Sequence, residues 1–170
     1  MKVIVSACLA GDNCKYNGGN NFNHKMMDCL QSDEIIKVCP EVLGGLPIPR
    51  PSAEIVHGQV MNNEGKNITK EFTLGAQKAF EIVKKENPDL IILQNRSPSC
   101  GIKQIYDGTF SGRKIPGHGL FAALCIEAGI KFWILKILIH ILLQEHSILH
   151  WFQFQNMVYF IFQALFYNIF

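Results

Sequence analysis

Three cysteines stand just after short apolar runs of the chain. Cys8 follows "VIVSA", Cys39 follows "IIKV", and Cys100 lies in "NRSPSCG" after "LIIL". A thiol can act as a metal ligand, as a nucleophile or as a small buried apolar group. Separations of 31 and 61 residues form no local motif such as C-x-x-C. A shared role for the three thiols therefore depends on the fold.

The apolar runs predict strands, and the segments between them predict helices. We predict strands at residues 2–5, 35–38, 90–93 and 130–135, and helices at 23–30, with Asn23 as N-cap, at 69–87 and at 119–128, with Gly129 after its end. Alternating strands and helices favour an α/β fold with a parallel sheet covered by helices. We therefore predict a small Rossmann-like three-layer domain whose site lies at the carboxyl ends of the strands.

Each of the three cysteines follows the carboxyl end of a predicted strand. If the strands are neighbours, Cys8, Cys39 and Cys100 converge on one edge of the sheet. Three thiolates there suit a metal or iron–sulfur site with one open coordination position. The alternative is that they are small buried residues. Cys29 and Cys125 are predicted to be packing residues of helices, and Cys14 is a weaker ligand candidate.

Polar residues of the same loops add further candidates. Glu41 could act as general acid or base, or be a solvated loop residue, and Ser97 and Ser99 precede Cys100. The same loops carry four cations. They could neutralise a cluster, orient an anionic substrate or be ordinary surface residues. The four are Arg50, Arg96, Lys103 and Arg113. His57 and His118 are possible fourth ligands, although loop hydrogen bonding is the favoured role for both. Residues 41–58 are rich in Gly and Pro and predict a long loop of the kind that often carries function.

Composition narrows the function classes. Sixteen Lys and Arg against 14 Asp and Glu give a net charge of +2. There is no basic stripe interleaved with aromatics, which disfavours a duplex nucleic acid as partner. The start "MKVIVSACLAGDN" is too short and too polar for a signal peptide, so a cytoplasmic protein with reduced thiols is expected. No oligomeric state is predicted.

The last 40 residues differ from the rest of the chain. Residues 131–170 contain no Gly or Pro and only three charged side chains, but 11 of the 18 aromatics. A membrane span is one interpretation, although six polar side chains between positions 150 and 168 argue against it. A frame-change product is the favoured one, ahead of a packed helix. We therefore predict one domain at residues 1–131 and an atypical tail at 132–170.

With these residues in view, the sequence resembles the thiouracil desulfidase family, which was once known only as a domain of unknown function. The matching blocks are "VSACLAGDNCKYNGG", "CPEVLGGLPIPRPSAEI", "NRSPSCG" with "IYDGTFSG", and "PGHGLFAAL". The resemblance implies a [4Fe-4S] cluster on Cys8, Cys39 and Cys100 with its fourth iron open. Cys14 and Lys15 depart from the family pattern, where an apolar residue and an Arg are expected.

The same resemblance implies an activity. The open iron would take the sulfur of a thiocarbonyl, while Glu41 and a serine of the SPSC block, Ser97 in preference to Ser99, assist attack by water. The substrate would be a small thiolated base such as 2-thiouracil. The alternative is a non-catalytic iron–sulfur or zinc-binding module for sulfur transfer or metal sensing, because zinc could use the same three thiolates.

Overall fold

The computed structural model describes residues 1–130 of the chain. Along these residues the elements follow in the order β1 (Lys2–Ser6), α1 (His24–Cys29), β2 (Glu34–Val38), α2 (Pro40–Leu43), β3 (Ala53–Val56), β4 (Gln59–Asn62), α3 (Thr69–Glu86), β5 (Leu90–Ile92), β6 (Gln104–Tyr106), β7 (Lys114–Pro116) and α4 (Leu120–Glu127). None of the helices in this range is long and apolar enough to cross a membrane.

The centre of the fold is a parallel three-stranded sheet in the order β2-β1-β5. Strand β1 is its middle strand, and Val3 pairs with Ile35 on one side and with Leu90 on the other. Val3, Ile4 and Val5 are all fully buried. Both faces of β1 are therefore covered, which explains why its apolar run does not alternate with polar residues.

Helices α3 and α4 pack on the sheet through small and apolar side chains. Residues Ala76, Ala79 and Val83 of α3 lie three and four apart and share one buried cluster with Ile4 and Ile91. The predicted helical periodicity is therefore confirmed. The helix ends at Glu86, one residue earlier than predicted, because the next residue takes a left-handed conformation with φ 44°.

Helix α2 lies very close to α3. A Cβ atom placed on Gly75 would lie 1.9 Å from the carbonyl oxygen of Pro40, and one on Gly44 would lie 2.1 Å from that of Glu71. Only glycine fits at such a contact between backbones. The two glycines therefore set the position of α2, the short helix that follows Cys39.

The segment at residues 41–58 is only partly the long loop that the sequence predicts. Helix α2 begins at Pro40, a residue suited to the first helical position, and β3 pairs antiparallel with β4. His57 and Gly58 join the two strands with φ values of 48° and 78°, as a two-residue type I′ turn requires. A second unpredicted hairpin joins β6 and β7.

The remaining predicted elements agree with the structure to within a residue or two. Asn23 caps α1, since its Oδ1 accepts a hydrogen bond from the Met26 amide at 3.0 Å. Gly129 follows α4 with φ 69°. The strand predicted at residues 130–135, apart from Ile130, and the predicted tail at 132–170 lie outside the described residues.

The described fold is a mixed α/β arrangement around a parallel sheet, as predicted. The finer prediction of a Rossmann-like three-layer domain stays a prediction. The parallel direction of β1, β2 and β5 brings their carboxyl ends to one edge of the sheet, and residues of the loops that follow these ends line a cavity.

Candidate active site

The loops after β1, β2 and β5 are tied to one another at the sheet edge. The Ala7 amide donates to the Val38 carbonyl at 2.9 Å, which joins the ends of β1 and β2. The Gln94 amide donates to Ser6 Oγ at 2.9 Å, which joins the ends of β1 and β5. The chain segments that carry Cys8, Cys39 and Cys100 are therefore held side by side.

The three predicted ligands line one cavity of about 520 Å³. Cys8 and Cys100 are buried and Cys39 is half-buried, and all three are free thiols. The cavity wall also includes Glu41, Ser97 and several other polar side chains. The structure thus brings Cys8, Cys39 and Cys100 from three separate loops to one cavity.

Cys14 is a fourth thiol at the same place. It is buried, packs with Cys8 and Cys39, and lines the cavity. The Cys39 thiol lies 3.9 Å from the Cys14 carbonyl oxygen and donates to it. The sequence identified Cys14 only as a weaker ligand candidate; its proximity to Cys8 along the chain was the available signal.

Contacts among the thiols shift their pKa values in different directions. Hydrogen bonding with Cys14 lowers the pKa of Cys8. For Cys14, hydrogen bonding with Cys39 lowers the pKa, but hydrogen bonding with Cys8 and burial outweigh this and raise it to about 11. Hydrogen bonding with Cys14, followed by burial, raises the pKa of Cys39.

Cys100 occupies a loop that is tied to itself and to α4 by hydrogen bonds. Ser97 Oγ accepts hydrogen bonds from the amides of Ser99 and Cys100, at 3.0 and 3.2 Å. The first amides of α4 then donate to the carbonyls of Pro98 and Ser99. Burial raises the pKa of the Cys100 thiol, although hydrogen bonding with Ser6 opposes the shift. Metal binding at Cys39 or Cys100 must therefore release a proton.

Glu41 is held by three side chains at the cavity wall. Its Oε2 accepts from Arg50 Nη2 at 2.6 Å and from Arg50 Nε at 2.9 Å. Its Oε1 accepts from the hydroxyls of Ser97 and Ser99, each at 3.4 Å. One carboxylate oxygen is thus fixed by a charged pair, while the other has only two long contacts.

Arg50 has a larger role than its sequence context indicated. Its side chain is only 5% exposed, and besides Glu41 it donates to the carbonyls of Cys14 and Pro47, at 2.9 and 3.1 Å. Arg50 therefore joins the loop after β1 to α2. The sequence grouped it with three other loop cations, and nothing in its local pattern distinguished it from them.

Of the other predicted candidates, only Arg96 lines the cavity within residues 1–130. Of the remaining cations, Arg96 lines the cavity and is exposed, whereas Lys103 and Arg113 are exposed outside it. Neither His57 nor His118 lines the cavity, and the His118 ring hydrogen-bonds to the Ile102 carbonyl as a loop residue.

The two remaining cysteines are also outside the cavity. Cys125 is fully buried in the core against α3, where burial raises its pKa to about 12, which confirms its predicted packing role. Cys29 is half-buried on α1, a helix without buried residues, so it is not a core residue, and its predicted packing role stays a prediction.

The donor set fits an iron–sulfur cluster. Thiolates are the usual protein ligands of such clusters, and each bonds a different iron, so the ligands surround a cavity. Within residues 1–130, no three His, Cys, Asp or Glu side chains are grouped so as to hold a single metal ion. The residues that would hold the cluster are Cys8, Cys39 and Cys100, with Cys14 beside them.

Comparisons with known proteins point to the same chemistry. A family model described as 2-thiouracil desulfurase matches residues 3–136. The chain is 37% identical over 139 residues to the uncharacterized protein YbbK of Bacillus subtilis (strain 168), covering 76% of this chain and 92% of that protein. A solved structure of a [4Fe-4S]-dependent thiouracil desulfidase superposes with a TM-score of 0.75 at 34% identity, covering 84% of this chain and 98% of the other.

Proposed function

Because the chain belongs to the 2-thiouracil desulfurase family, and is therefore a desulfidase enzyme, we propose that it removes sulfur from a small thiolated pyrimidine such as 2-thiouracil. The similar solved structure is of a [4Fe-4S]-dependent enzyme. We propose the same cofactor here, with Cys8, Cys39 and Cys100 as its ligands.

One observation carries this proposal: Glu41 lines the cavity that the three thiols line. A purely structural metal site needs no carboxylate that can exchange protons beside its ligands. When bound through three thiolates, a cluster supplies an iron free to act as a Lewis acid toward sulfur. The remaining chemistry is a hydrolysis, in which the thiocarbonyl carbon gains oxygen from water and loses sulfur as hydrosulfide without any change in electron count.

Glu41 is suited to take a proton from the attacking water. Oε2 is occupied by Arg50, whereas the two contacts of Oε1 are at the long limit of hydrogen bonding, at 3.4 Å. Oε1 is thus the atom that can accept a proton from water. The two hydrogen bonds from Arg50 to Oε2 fix the orientation of the carboxylate.

Ser97 is the better candidate for the assisting serine. It lines the cavity, and its hydroxyl oxygen already accepts two backbone amides, so its own proton is directed toward Glu41 Oε1. Ser99 is 1% exposed and does not line the cavity. We assign Ser99 to supporting the carboxylate and Ser97 to contact with water or substrate.

A non-catalytic module is the second candidate, and Cys14 is the observation that favours it. Four thiols line the cavity, and four thiolates would complete the ligand set of a cluster. Such a site would carry or sense a metal but would offer no open position to a substrate.

Substitution of Cys14 separates the two candidates. For the desulfidase, anaerobically reconstituted Cys14→Ala is expected to keep its visible cluster absorption and to release sulfide from 2-thiouracil at a rate near that of the unchanged protein. The module predicts the opposite result: no sulfide from the unchanged protein, and loss of the metal centre in Cys14→Ala. Cofactor-free protein serves as the blank for sulfide formed without the enzyme.

A further inference from the structure

Phe110 presents an apolar ring to the same cavity. It lies in the loop between β6 and β7, lines the cavity and is 38% exposed. The part of its apolar surface that stays exposed at the cavity wall would be stabilised if a ligand covered it. Its position is therefore more consistent with contact to a ligand than with packing in the fold.

The backbone of Phe110 is held in an unfavourable conformation. Its φ is 58°, a left-handed value that is rare for a bulky residue. Strain of this kind persists only where surrounding contacts enforce it. Here the side chain of Glu54, on β3, enforces it: Oε2 accepts from the amides of Gly108 and Phe110, at 2.9 and 3.0 Å.

The same loop is seated tightly on β3. A Cβ atom on Gly108 would lie 2.8 Å from the Ile55 carbonyl oxygen, so the loop backbone lies directly against the strand. Asp107 Oδ1 accepts from both the amide and the hydroxyl of Thr109, at 3.0 and 2.6 Å. The backbone that carries Phe110 is thus held in place by contacts within the protein itself.

We infer that Phe110 is a stacking platform for the planar ring of the substrate, and that the buried carboxylate of Glu54 is the positioning residue that holds it. This inference rests on the proposed function, because it assumes that the substrate is an aromatic heterocycle. A flat π-system stacks on a phenyl ring whatever its substituents. The platform therefore favours planar ligands over non-planar ones. The polar groups of the cavity hydrogen-bond to the edge of the ligand ring.

Matched ligands test this inference. Uracil and 5,6-dihydrouracil carry the same polar edge, but saturation at C5 and C6 removes the flat π-face of the second. Their dissociation constants are measured by NMR on the reconstituted protein, together with kcat and KM for 2-thiouracil. Phe110→Gly removes the ring while accepting the left-handed backbone, and Phe110→Tyr keeps a stacking face.

The unchanged protein and Phe110→Tyr are expected to bind uracil more tightly than dihydrouracil. Phe110→Gly is expected to weaken uracil binding by roughly tenfold to one-hundredfold and to remove the preference, with KM raised and kcat little changed. Glu54→Ala should also weaken uracil binding and reduce the preference for uracil. The double variant should bind no more weakly than Phe110→Gly alone. Phe22→Ala is the control, since Phe22 is 42% exposed but does not line the cavity.

Unchanged affinities and preference in Phe110→Gly would overturn the inference while leaving the proposed function intact. A loss of kcat with no change in ligand preference would overturn it too, because that pattern indicates general disruption of the site. If the unchanged protein binds neither ligand and releases no sulfide, the proposed substrate class fails, and the inference fails with it.

Discussion

The carboxylate of Glu41 combines a fixed side with a reactive side. Arg50 occupies Oε2 through two charged hydrogen bonds, and the serine hydroxyls meet Oε1 at longer distance. A general base needs both properties, because it must be oriented and still have an oxygen free to take a proton. Family membership alone does not show which oxygen of Glu41 is held and which is free; the hydrogen bonds show it.

Replacing Glu41 by Gln is expected to separate catalysis from cluster binding. The amide keeps the shape of the side chain and can present its oxygen to Arg50, but it cannot accept a proton from water. Sulfide release from 2-thiouracil should fall by about 10²- to 10⁴-fold, with the visible cluster spectrum unchanged. Glu64→Gln, at an exposed loop position, should change neither quantity; an unchanged rate in Glu41→Gln would remove this residue from the mechanism.

For single residues, the sequence could predict that the three cysteines converge but not their full environment. Cys8, Cys39 and Cys100 follow recognisable strand ends, so the parallel sheet implied their convergence. Arg50 lies in a segment of Gly and Pro where no periodicity shows which way a side chain points. Its pairing with Glu41 depends on how the loop turns back toward α2, and this is a tertiary property.

Among the elements, the contact between α2 and α3 positions the carboxylate of Glu41. Cys39 is the N-cap residue of α2, and Glu41 lies in its first turn. A helix of four residues has little stability of its own. Its placement therefore depends on the backbone contact that Gly44 and Gly75 permit.

Gly75→Ala tests this contact because two effects of the substitution change the free energy of unfolding in opposite directions. Helix propensity alone would stabilise α3 by about 1 kcal/mol. The added Cβ, however, would lie 1.9 Å from the Pro40 carbonyl oxygen, and overpacking of this kind typically costs about 1–3 kcal/mol. We expect a lower free energy of unfolding in urea, and weaker cluster retention because α2 must move.

The control for this prediction is Gln77→Ala on the exposed face of the same helix. It should change the free energy of unfolding by no more than about 0.5 kcal/mol. A Gly75→Ala variant more stable than the unchanged protein would show that α2 is not held by this contact.

Elements with strong periodicity or apolar runs were predictable, and short hairpins were not. Strands β1, β2 and β5 and helix α3 carry patterns long enough to identify. The β3–β4 turn uses His57 and Gly58 instead of a typical Asn-Gly pair, and β6 and β7 have three residues each. These hairpins place Glu54 and Phe110 at the cavity. Because the hairpins were not predictable, neither was the part of the cavity that we infer binds the substrate ring.

At the scale of the molecule, parallel topology explains how one small domain gathers its site from distant segments. Three strands that run in the same direction end at one edge, and each delivers a loop with a cysteine to that edge. Parallel sheets bind ligands at their carboxyl ends for this reason. Large stretches of sequence between the cysteines are therefore compatible with a single compact site.

Removing the C-terminal residues tests how much of the chain the enzyme requires. The family match ends at residue 136, and from 147 to 170 the sequence has no Lys, Arg, Asp or Glu. A stretch rich in aromatics and without charge favours aggregation. Truncation after Lys136 is expected to leave the cluster and the rate per cluster intact and to raise the soluble yield; loss of cooperative unfolding would show that the removed residues are part of the core.

The visible absorption spectrum of anaerobically reconstituted single variants shows whether the three cysteines that follow the parallel strands hold a cluster. Cys8→Ser, Cys39→Ser and Cys100→Ser should each lose the broad cluster absorption, since serine replaces a thiolate ligand. Cys29→Ser, outside the cavity, should keep it. Retention of the full cluster spectrum in any of the first three, or its loss in Cys29→Ser, would contradict the assignment.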